Sequence, residues 1–368
     1  VPFNARLTAD EIAPQRSIVE PVLIVTEEAN EPTAVEAAGA VPVLSLDEPQ
    51  SAAVEGLASL PSGDVSPVDR PLSETFVIMF TSGTTAEPKA VRVTGQNFLA
   101  SAAASAFRLG VSPDDEWLLA LPTYHMGGLS IPIRTTVYGT TTVLQRSFDP
   151  EAVRRVLSER PITGVSLVPT MLKRLLNDGP FEHSLRFALV GGGATEPSLA
   201  KQALDADVPI HTTYGMTETA SQITTARPTD VAEAPDTVGR PLAATDLAIL
   251  DADGERVAPG THGEIAVSGW TVSPGYVGEA QRDESAWFRT GDVGYRDESG
   301  RLYVTGRASE IIVSGGENVA PEEVRRTILD HDAVTDAAVV GLADEEWGER
   351  VAALVVAAGP MDQRELDA

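Results

Sequence analysis

The stretch Phe80-Thr-Ser-Gly-Thr-Thr-Ala-Glu-Pro-Lys-Ala90 continues an apolar run over 76–80. Between Phe80 and Ala86 every residue bears a hydroxyl group or is glycine, and Lys89 is one of only three lysines in the chain. A loop of small residues exposes backbone N–H groups that can surround a polyphosphate, and a lysine adds positive charge. The stretch therefore predicts a buried strand followed by a phosphate-binding loop. A flexible surface turn is the alternative, and the Gly-Lys-Ser/Thr ending of the common P-loop is missing.

Apolar runs typical of buried strands alternate with helical patterns over the first two-thirds of the chain. The strand-like runs lie at 22–26, 76–80, 117–121, 164–168 and 187–190, and the helical patterns at 97–109, 150–160, 171–176 and 197–206. Strands that alternate with helices predict right-handed crossovers and a parallel sheet covered on both faces. The stretch 48–74, rich in Pro, Ser, Asp and Glu, predicts an exposed connection. This part of the chain is therefore expected to be α/β.

The pattern changes after about residue 238. Short strands at 247–250 and 263–267 are separated by turn signals, which favours a small antiparallel β subdomain. Beyond Arg307 the run Glu310-Ile-Ile-Val-Ser-Gly-Gly316 is followed by a predicted helix over 321–329 and by strand character over 337–358. A further small α+β region is therefore expected at the end of the sequence.

Charge and composition narrow the class of protein. The 368 residues include 54 acidic and 27 basic ones, a net charge of −27. Such a surface repels phosphate backbones and anionic lipid, so no nucleic acid and no membrane surface is expected as a partner. The absence of cysteine excludes disulfides, thiolate zinc sites and a cysteine nucleophile. Without an apolar run of about 18 residues, the sequence predicts a soluble, cytoplasmic protein, and its acidity predicts a halophilic, salt-rich setting.

Five further segments complete an ordered set of motifs with the phosphate-loop stretch. They are Leu121-Pro-Thr-Tyr-His-Met-Gly-Gly128, Gly191-Gly-Gly193, Tyr214-Gly-Met-Thr-Glu218, Phe288-Arg-Thr-Gly-Asp292 and Gly306-Arg307. In this order, and over nearly the whole chain, they resemble the motifs of the adenylate-forming superfamily of acyl- and aryl-CoA ligases, luciferases and peptide-synthetase adenylation domains. Within that superfamily, Tyr214-Gly-Met-Thr-Glu-Thr-Ala-Ser-Gln-Ile223 is most similar to the segment found in o-succinylbenzoate–CoA ligases of menaquinone biosynthesis.

The resemblance implies a fold and a reaction. The expected fold is a large AMP-binding domain of αβαβα layers over 1–306, with a small β-barrel subdomain at 237–306, and a partial, mobile α+β C-terminal domain over 307–368. The expected reaction is that of an acid–thiol ligase, in which a carboxylic acid and ATP give an acyl-adenylate and pyrophosphate, and CoA then displaces AMP. ATP, Mg²⁺ and CoA are the implied cofactor and co-substrates.

The resemblance also implies roles for individual residues. It assigns phosphate binding to Thr81, Ser82, Gly83, Thr84, Thr85 and Lys89, the adenine side to Gly191, Gly192 and Gly193, further nucleotide contacts to Tyr214, Gly215 and Thr217, the ribose to Asp292 and Arg307, and the metal to Glu218. The expected catalytic residues are Lys89, Thr217, Glu218 and His125, the last as a gate or wall of the acyl pocket without a proton-transfer role. Taken singly, each has a structural alternative, such as a helix cap for Thr217 and Glu218.

The acid and CoA sites are assigned on fewer residues. Arg134 lies nine positions after His125 in an apolar helix, where an arginine either reaches the surface or faces a buried anion. Because o-succinylbenzoate has a second carboxylate that is not activated, we predict Arg134 as its electrostatic partner, with Ser221 and Gln222 as further polar contacts. The resemblance implies that Gly315 and Gly316 let the backbone lie close to the pantetheine arm of CoA.

Two other functions stay open at this point: another aryl- or acyl-CoA ligase, and a non-catalytic adenylate-binding module. A nucleotide-dependent oxidoreductase is disfavoured, because no Gly-x-Gly-x-x-Gly follows a strand. The resemblance implies that the family's first residues and its C-terminal lysine lie outside this sequence. Since no lysine follows Lys201, we expect impaired adenylation by this chain alone. The expected partners are small molecules, and a homo-oligomer is compatible with the sequence.

Overall fold

The N-terminal part forms a small parallel sheet with two helices. The computed structural model describes residues 1–60, 63, 68–81, 88–315, 317–329, 331, 333–344 and 347–359. The first elements are α1 (Ala9–Val19), β1 (Ile24–Thr26), α2 (Glu31–Ala38), β2 (Val43–Ser45) and β3 (Glu55–Gly56). Strands β1, β2 and β3 pair in that order and in parallel. The run predicted at 22–26 is therefore a strand, but it lies in this separate small sheet.

A hairpin follows, and it corrects one expectation. Strands β4 (Thr75–Thr81) and β5 (Lys89–Thr94) form an antiparallel pair of their own. The run 76–80 is a strand, as predicted, but it does not belong to the parallel sheet and only one of its faces is buried. Met79 is 1% exposed, whereas Phe76 is 68% exposed and meets Phe98 edge to face at 6.0 Å. An all-apolar run does not show whether a strand is buried on both faces or on only one.

The central sheet has the order β12-β11-β10-β9-β8-β6-β7. Its elements are α3 (Gly95–Leu109), β6 (Glu116–Leu119), α4 (Met126–Tyr138), β7 (Thr141–Leu144), α5 (Pro150–Glu159), β8 (Gly164–Leu167), α6 (Pro169–Leu176), β9 (Phe187–Val190), α7 (Pro197–Asp205), β10 (Ile210–Met216), β11 (Ser221–Thr225), α8 (Pro228–Glu233) and β12 (Arg240–Pro241). Strands β10, β9, β8, β6 and β7 run parallel, as expected, and β11 and β12 add an antiparallel edge.

Local sequence explains where these helices begin and why the strands are buried. In α5 the side chain of Asp149 accepts a hydrogen bond from the Ala152 N–H, and Pro150 takes the first helical position, where its missing N–H costs nothing. All four residues of β8 and of β9 are buried, as expected for parallel strands with helices on both faces. The layers place the carboxyl ends of β8, β9 and β10 side by side.

A second sheet covers the region predicted as a β subdomain. Strands β13 (Thr245–Leu250), β14 (Gly263–Gly269), β15 (Phe288–Arg296) and β16 (Leu302–Arg307) are antiparallel and pair in sequence order. Leu247, Ile249, Ile265 and Val267 form its core together with Ile223 from the central sheet. Because this core is shared, β15 and β16 are held close to the end of β10.

In the last region the described residues form an antiparallel sheet with one helix, which confirms the expected small α+β unit. It consists of β17 (Ile312–Ser314), β18 (Glu317–Val319), α9 (Pro321–Leu329), β19 (Val334–Asp344) and β20 (Gly348–Ala357), in the strand order β18-β17-β20-β19. Within the described part of the chain, no helix has both the length and the apolar character needed to cross a membrane.

Candidate active site

Two adjoining cavities open at the carboxyl ends of the central parallel strands. One has a volume of about 370 Å³ and the other about 340 Å³. Gly192, Thr213, Gly215 and Met216 line both, so the segments that follow β9 and end β10 separate the two spaces. The crevice outside the carboxyl ends of strands is where open α/β sheets bind their ligands.

The first cavity, called here the acid-side cavity, has apolar walls and a few polar groups. Its polar lining includes His125, Thr217, Ser221 and Gln222, which places these predicted residues together. Gln222 is 2% exposed, and its amide nitrogen donates to the Thr225 hydroxyl at 2.7 Å. Partial loss of hydration, followed by the charge of nearby Arg6, lowers the pKa of His125. The imidazole is therefore neutral at pH 7.

The turn that carries His125 depends on the glycine at position 128. A Cβ atom there would lie 2.2 Å from the carbonyl oxygen of Pro122, a distance that no side chain tolerates. At the neighbouring Gly127 a Cβ atom would meet only a Leu121 methyl group at 3.6 Å, an ordinary contact. The close approach at Gly128 folds the first turn of α4 back onto residues 121–122, and this fold forms one wall of the acid-side cavity.

The second cavity, called here the nucleotide-side cavity, brings together residues far apart in sequence. Gly192, Gly193, Tyr214, Asp292 and Arg307 all line it. The Tyr214 hydroxyl donates to Asp292 Oδ2 at 2.6 Å, and Arg307 Nε lies 2.8 Å from Asp292 Oδ1. Burial raises the pKa of Asp292, against the lowering effect of these two partners. Each carboxylate oxygen keeps a further lone pair, so Asp292 can accept hydrogen bonds from a ribose.

The backbone at the turn from β10 to β11 is strained where it borders the acid-side cavity. A Cβ atom on Gly215 would lie 1.7 Å from the Ser221 carbonyl oxygen, so only glycine fits. Ala220 and Ser221 have φ angles of 50° and 108°, which residues with side chains rarely adopt. Strain of this kind persists where the surrounding structure determines the backbone, often at functional sites.

Glu218 lies in this strained segment and contacts a residue that the sequence motifs did not include. Its side chain is 7% exposed, and its Oε1 accepts a hydrogen bond from the Tyr276 hydroxyl at 2.9 Å. The Tyr276 ring in turn lies under Lys89, whose Nζ is 5.2 Å from the ring centroid. Sequence reasoning missed Tyr276. The Pro274-Gly275 pair before it signals a turn but not what the turn contacts.

The carboxylate of Glu218 is suited to Mg²⁺ in the presence of a nucleotide. Within the described ranges, no hydrogen bond reaches its second oxygen, and no group of three or more His, Cys, Asp or Glu side chains could hold a metal alone. Mg²⁺ is usually held by one or two carboxylates together with substrate phosphates and water. A single buried carboxylate, linked to Lys89 through the side chain of Tyr276, therefore fits a cation that arrives with ATP.

Some predicted residues lie outside the described part of the chain or away from the cavities. Ser82, Gly83, Thr84, Thr85 and Gly316 are not among the described residues. Thr81 and Lys89, which flank the first four, pair directly across the hairpin. The roles predicted for these residues stay predictions.

Arg134 lines neither cavity and is buried behind the wall that α4 provides. It is 2% exposed, Nη2 donates to the Ser101 hydroxyl at 3.3 Å, and the guanidinium stacks on Trp117 at 5.7 Å. Its Nε has no hydrogen-bond partner among the described residues. Burial lowers the pKa of Arg134 to about 10, so the group is still a cation at pH 7. Ser130, one turn earlier on α4, does line the acid-side cavity.

Gly315 has a structural reason to be glycine besides the predicted CoA contact. Its φ angle is 60°, and a Cβ atom there would come within 2.5 Å of the Trp347 ring. The Gly315 N–H donates to the Trp347 carbonyl oxygen at 2.9 Å. These contacts close the end of β17 against the start of β20, and its CoA role stays a prediction.

Comparison with known proteins agrees with this geometry. Residues 1–277 match the family described as AMP-binding enzyme, and residues 323–368 match the AMP-binding enzyme C-terminal domain. The chain belongs to the AMP-binding enzyme family. This AMP-binding enzyme is 39% identical over 369 residues to the 2-succinylbenzoate–CoA ligase of Bacillus licheniformis, an alignment that covers 99% of the chain and 75% of the relative.

Solved structures resemble this AMP-binding enzyme over the same extent. The o-succinylbenzoate CoA synthetase of Bacillus subtilis, in complex with its acyl-adenylate intermediate, is 34% identical and superposes with a TM-score of 0.90, covering 99% of this chain and 74% of that one. The same synthetase in complex with ATP and magnesium is 34% identical with a TM-score of 0.89, covering 99% and 75%. The expected fold is therefore confirmed for the AMP-binding enzyme described here.

Proposed function

We propose that this protein is an ATP-dependent carboxylic acid–CoA ligase that works through an acyl-adenylate, with o-succinylbenzoate as its acid. The observation that carries the proposal is the pair of adjoining cavities, one apolar with polar groups and one lined by Asp292 and Arg307, with Thr217 at the wall of the first. An acid in one cavity and a nucleotide in the other meet at the segment 213–217. The relatives named above act on o-succinylbenzoate by their printed names.

In the first half-reaction, a carboxylate oxygen of the acid forms a bond to the α-phosphorus of ATP, and the bond from that phosphorus to pyrophosphate breaks. The negative charge at the phosphates must be neutralised as the carboxylate approaches. Lys89 supplies positive charge, Thr217 donates a hydrogen bond to the α-phosphate, and Glu218 is the residue that would hold the cation. Bound Mg²⁺ would supply further positive charge at the phosphates. Tyr214, Asp292 and Arg307 hold the adenosine.

In the second half-reaction, the CoA thiol loses its proton to solvent and its sulfur forms a bond to the acyl carbonyl carbon. The bond from that carbon to the AMP oxygen breaks, and AMP leaves with the bonding electrons. The proposed unit for this step is the C-terminal domain over 307–368, joined to the AMP-binding domain over 1–306 at Arg307. Gly315 and Gly316 are proposed to lie beside the pantetheine arm. Lids and mobile domains often separate two such steps in one enzyme.

The buried charge of Arg134 supports an acid with two carboxylates. Among the described residues, no Asp or Glu side chain pairs with this guanidinium, whose hydrogen bond goes to Ser101. An unpaired buried cation is costly, and a second carboxylate bound in the neighbouring cavity would offset part of that cost. Ser221 and Gln222 supply polar contacts at the cavity wall. Arg134 is therefore proposed to act on the acid through its field rather than by direct contact.

The test is a panel of stable acyl-adenylate mimics bound to the protein in calorimetry. Mimics with o-succinylbenzoyl, benzoyl and fatty acyl groups share the nucleotide and differ only in the acid. The o-succinylbenzoyl mimic is expected to bind at least about tenfold more tightly than the benzoyl mimic, a difference of about 1.4 kcal/mol. Equal binding of all three mimics would contradict the assignment of the acid and would favour another acyl-CoA ligase.

A second measurement tests the reaction itself. AMP release is followed with each acid in the presence of ATP, Mg²⁺ and CoA. Release that depends on o-succinylbenzoate supports the ligase. Tight binding of the mimics combined with no turnover, in a preparation that also contains the family's C-terminal lysine, would favour the non-catalytic adenylate-binding module. A cytoplasmic, salt-rich location stays a prediction from composition.

A further inference from the structure

Residues 273–277 form a loop that lies outside the predicted motifs. This loop is hydrogen-bonded both to β5 and to the segment that follows β10. On one side the Val277 N–H donates to the Ala90 carbonyl oxygen at 2.9 Å. On the other side the Ser273 N–H donates to the Glu218 carbonyl oxygen at 2.7 Å. The loop is therefore fixed by backbone hydrogen bonds to both of the segments that carry proposed phosphate-binding groups.

Tyr276, within this loop, contacts both groups with different parts of one side chain. Its hydroxyl donates to Glu218 Oε1 at 2.9 Å, and its ring centroid lies 5.2 Å from Lys89 Nζ. Like Glu218 and Lys89, Tyr276 is not among the residues that line the two cavities.

We propose that Tyr276 is a positioning residue for the magnesium–nucleotide complex: its hydroxyl orients the Glu218 carboxylate toward the cation, and its ring holds the Lys89 ammonium beside the phosphates. Hydrogen-bonded partners of metal-binding carboxylates typically change metal affinity by about 10- to 100-fold. An ammonium over an exposed aromatic face contributes less, on the order of a threefold change in affinity. The inference rests on the proposed function, because it needs Glu218 to bind the cation.

The two contacts can be removed separately. Tyr276→Phe deletes the hydrogen bond to Glu218 and keeps the ring, and Tyr276→Leu deletes both contacts. Tyr303→Phe is the matched control, since its hydroxyl also donates to a carboxylate, Asp297 Oδ2 at 3.1 Å, and neither of these residues lines the two cavities. Calorimetry measures ATP affinity for each protein with excess Mg²⁺ and again with EDTA.

We expect the loss of the Tyr276 hydroxyl to change ATP affinity in the presence of Mg²⁺ but not in the presence of EDTA. Tyr276→Phe weakens ATP binding by about 10- to 100-fold with Mg²⁺ and leaves binding in EDTA unchanged. Tyr276→Leu also weakens binding in EDTA, by about threefold. Tyr303→Phe matches the wild type in both. In a double-mutant cycle, Tyr276→Phe has no further effect when Glu218 is already glutamine, because the carboxylate that it orients is gone.

Three results would overturn the proposal, and they are distinguishable. If Tyr276→Phe equals Tyr303→Phe with Mg²⁺, Tyr276 does not position Glu218, although the proposed function stands. If Tyr276→Phe weakens binding equally with Mg²⁺ and with EDTA, its role is structural. If the wild type binds ATP equally well in both conditions, the metal role of Glu218 fails and this inference fails with it. Thermal unfolding followed by circular dichroism verifies that each variant is folded.

Discussion

Arg325 on α9 lies 2.8 Å from Glu196, guanidinium nitrogen to carboxylate oxygen, and joins the C-terminal sheet to the start of α7. The same guanidinium contacts Glu322 and Asp336 at 3.2 Å each. Glu322 and Arg326, on the same helix, line the nucleotide-side cavity. The Arg325–Glu196 pair therefore fixes one orientation of the C-terminal region over that cavity.

Glu196→Gln should loosen this orientation and weaken AMP binding about two- to fivefold, the range expected for a partly exposed ion pair. Calorimetry with AMP gives the affinity. Lys201→Gln is the control, because Lys201 pairs with Asp205 at 2.6 Å within α7 and crosses to no other region. Equal AMP affinities for the two variants would show that the pair does not hold the C-terminal region over the nucleotide.

Arg134→Met should weaken binding of the acid without lowering the stability of the protein. Removing an unpaired buried charge is expected to leave the free energy of unfolding unchanged or to raise it by about 1–4 kcal/mol. The apparent KM for o-succinylbenzoate should rise while that for ATP changes little. Chemical denaturation and initial-rate kinetics give the two quantities.

Arg186→Met is the matched control for Arg134, since its guanidinium is paired with Asp115 at 2.6 Å. Here the expected result is lower stability, because a carboxylate loses its partner, with no change in KM for the acid. If Arg134→Met raises the KM values for acid and ATP equally, the electrostatic role in acid binding is wrong.

Gly128→Ala should destabilise the protein by more than about 2 kcal/mol, because the new methyl group collides with the Pro122 backbone. Gly127→Ala, one position earlier on the same helix, should be neutral or stabilising by up to about 1 kcal/mol, since alanine favours helix and meets only an ordinary contact. Thermal unfolding compares the pair. Equal stability of the two variants would show that the first turn of α4 relaxes freely.

The titration of His125 should lower stability in mild acid. Its pKa in the folded protein lies below the ordinary value of 6.5 because of lost hydration and the charge of Arg6. Protonation therefore favours the unfolded chain: stability is full above about pH 6.5, falls as the pH drops through that value, and levels off below the folded pKa. His125→Gln should lack this component. The effect is small because the residue is partly hydrated, so NMR titration of the imidazole provides the direct measurement.

Much of the fold was predictable because its signals are local. The strands at Gly164–Leu167 and Phe187–Val190 and the helix at Pro321–Leu329 lie where the apolar patterns predict them. For the run 76–80 the apolar pattern predicts a strand of the parallel sheet, which is wrong, because an apolar run does not reveal its pairing partner. The antiparallel edge formed by β11 and β12 went unpredicted for the same reason.

The candidate site also contains residues whose positions could be predicted from the sequence and residues whose positions could not. The ordered motifs predicted that Tyr214 and Asp292 serve one nucleotide, and the structure joins them by a hydrogen bond of 2.6 Å. For Arg134 the sequence offered two positions, at the surface or facing an anion, and the structure shows a third, buried against Trp117 behind the cavity wall. The direction of a helical side chain depends on what packs against that helix.

The sequence by itself determined the α/β class, the order of the nucleotide-binding motifs and the types of residue within each motif. These features depend on short-range pattern and composition. Only the tertiary structure decided that Tyr276 lies between Glu218 and Lys89, residues 58 and 187 positions away from it. That arrangement depends on the pairing of the loop 273–277 with β5. Backbone hydrogen bonds between distant segments leave no periodic trace in the residues that form them, because any residue except proline can donate one.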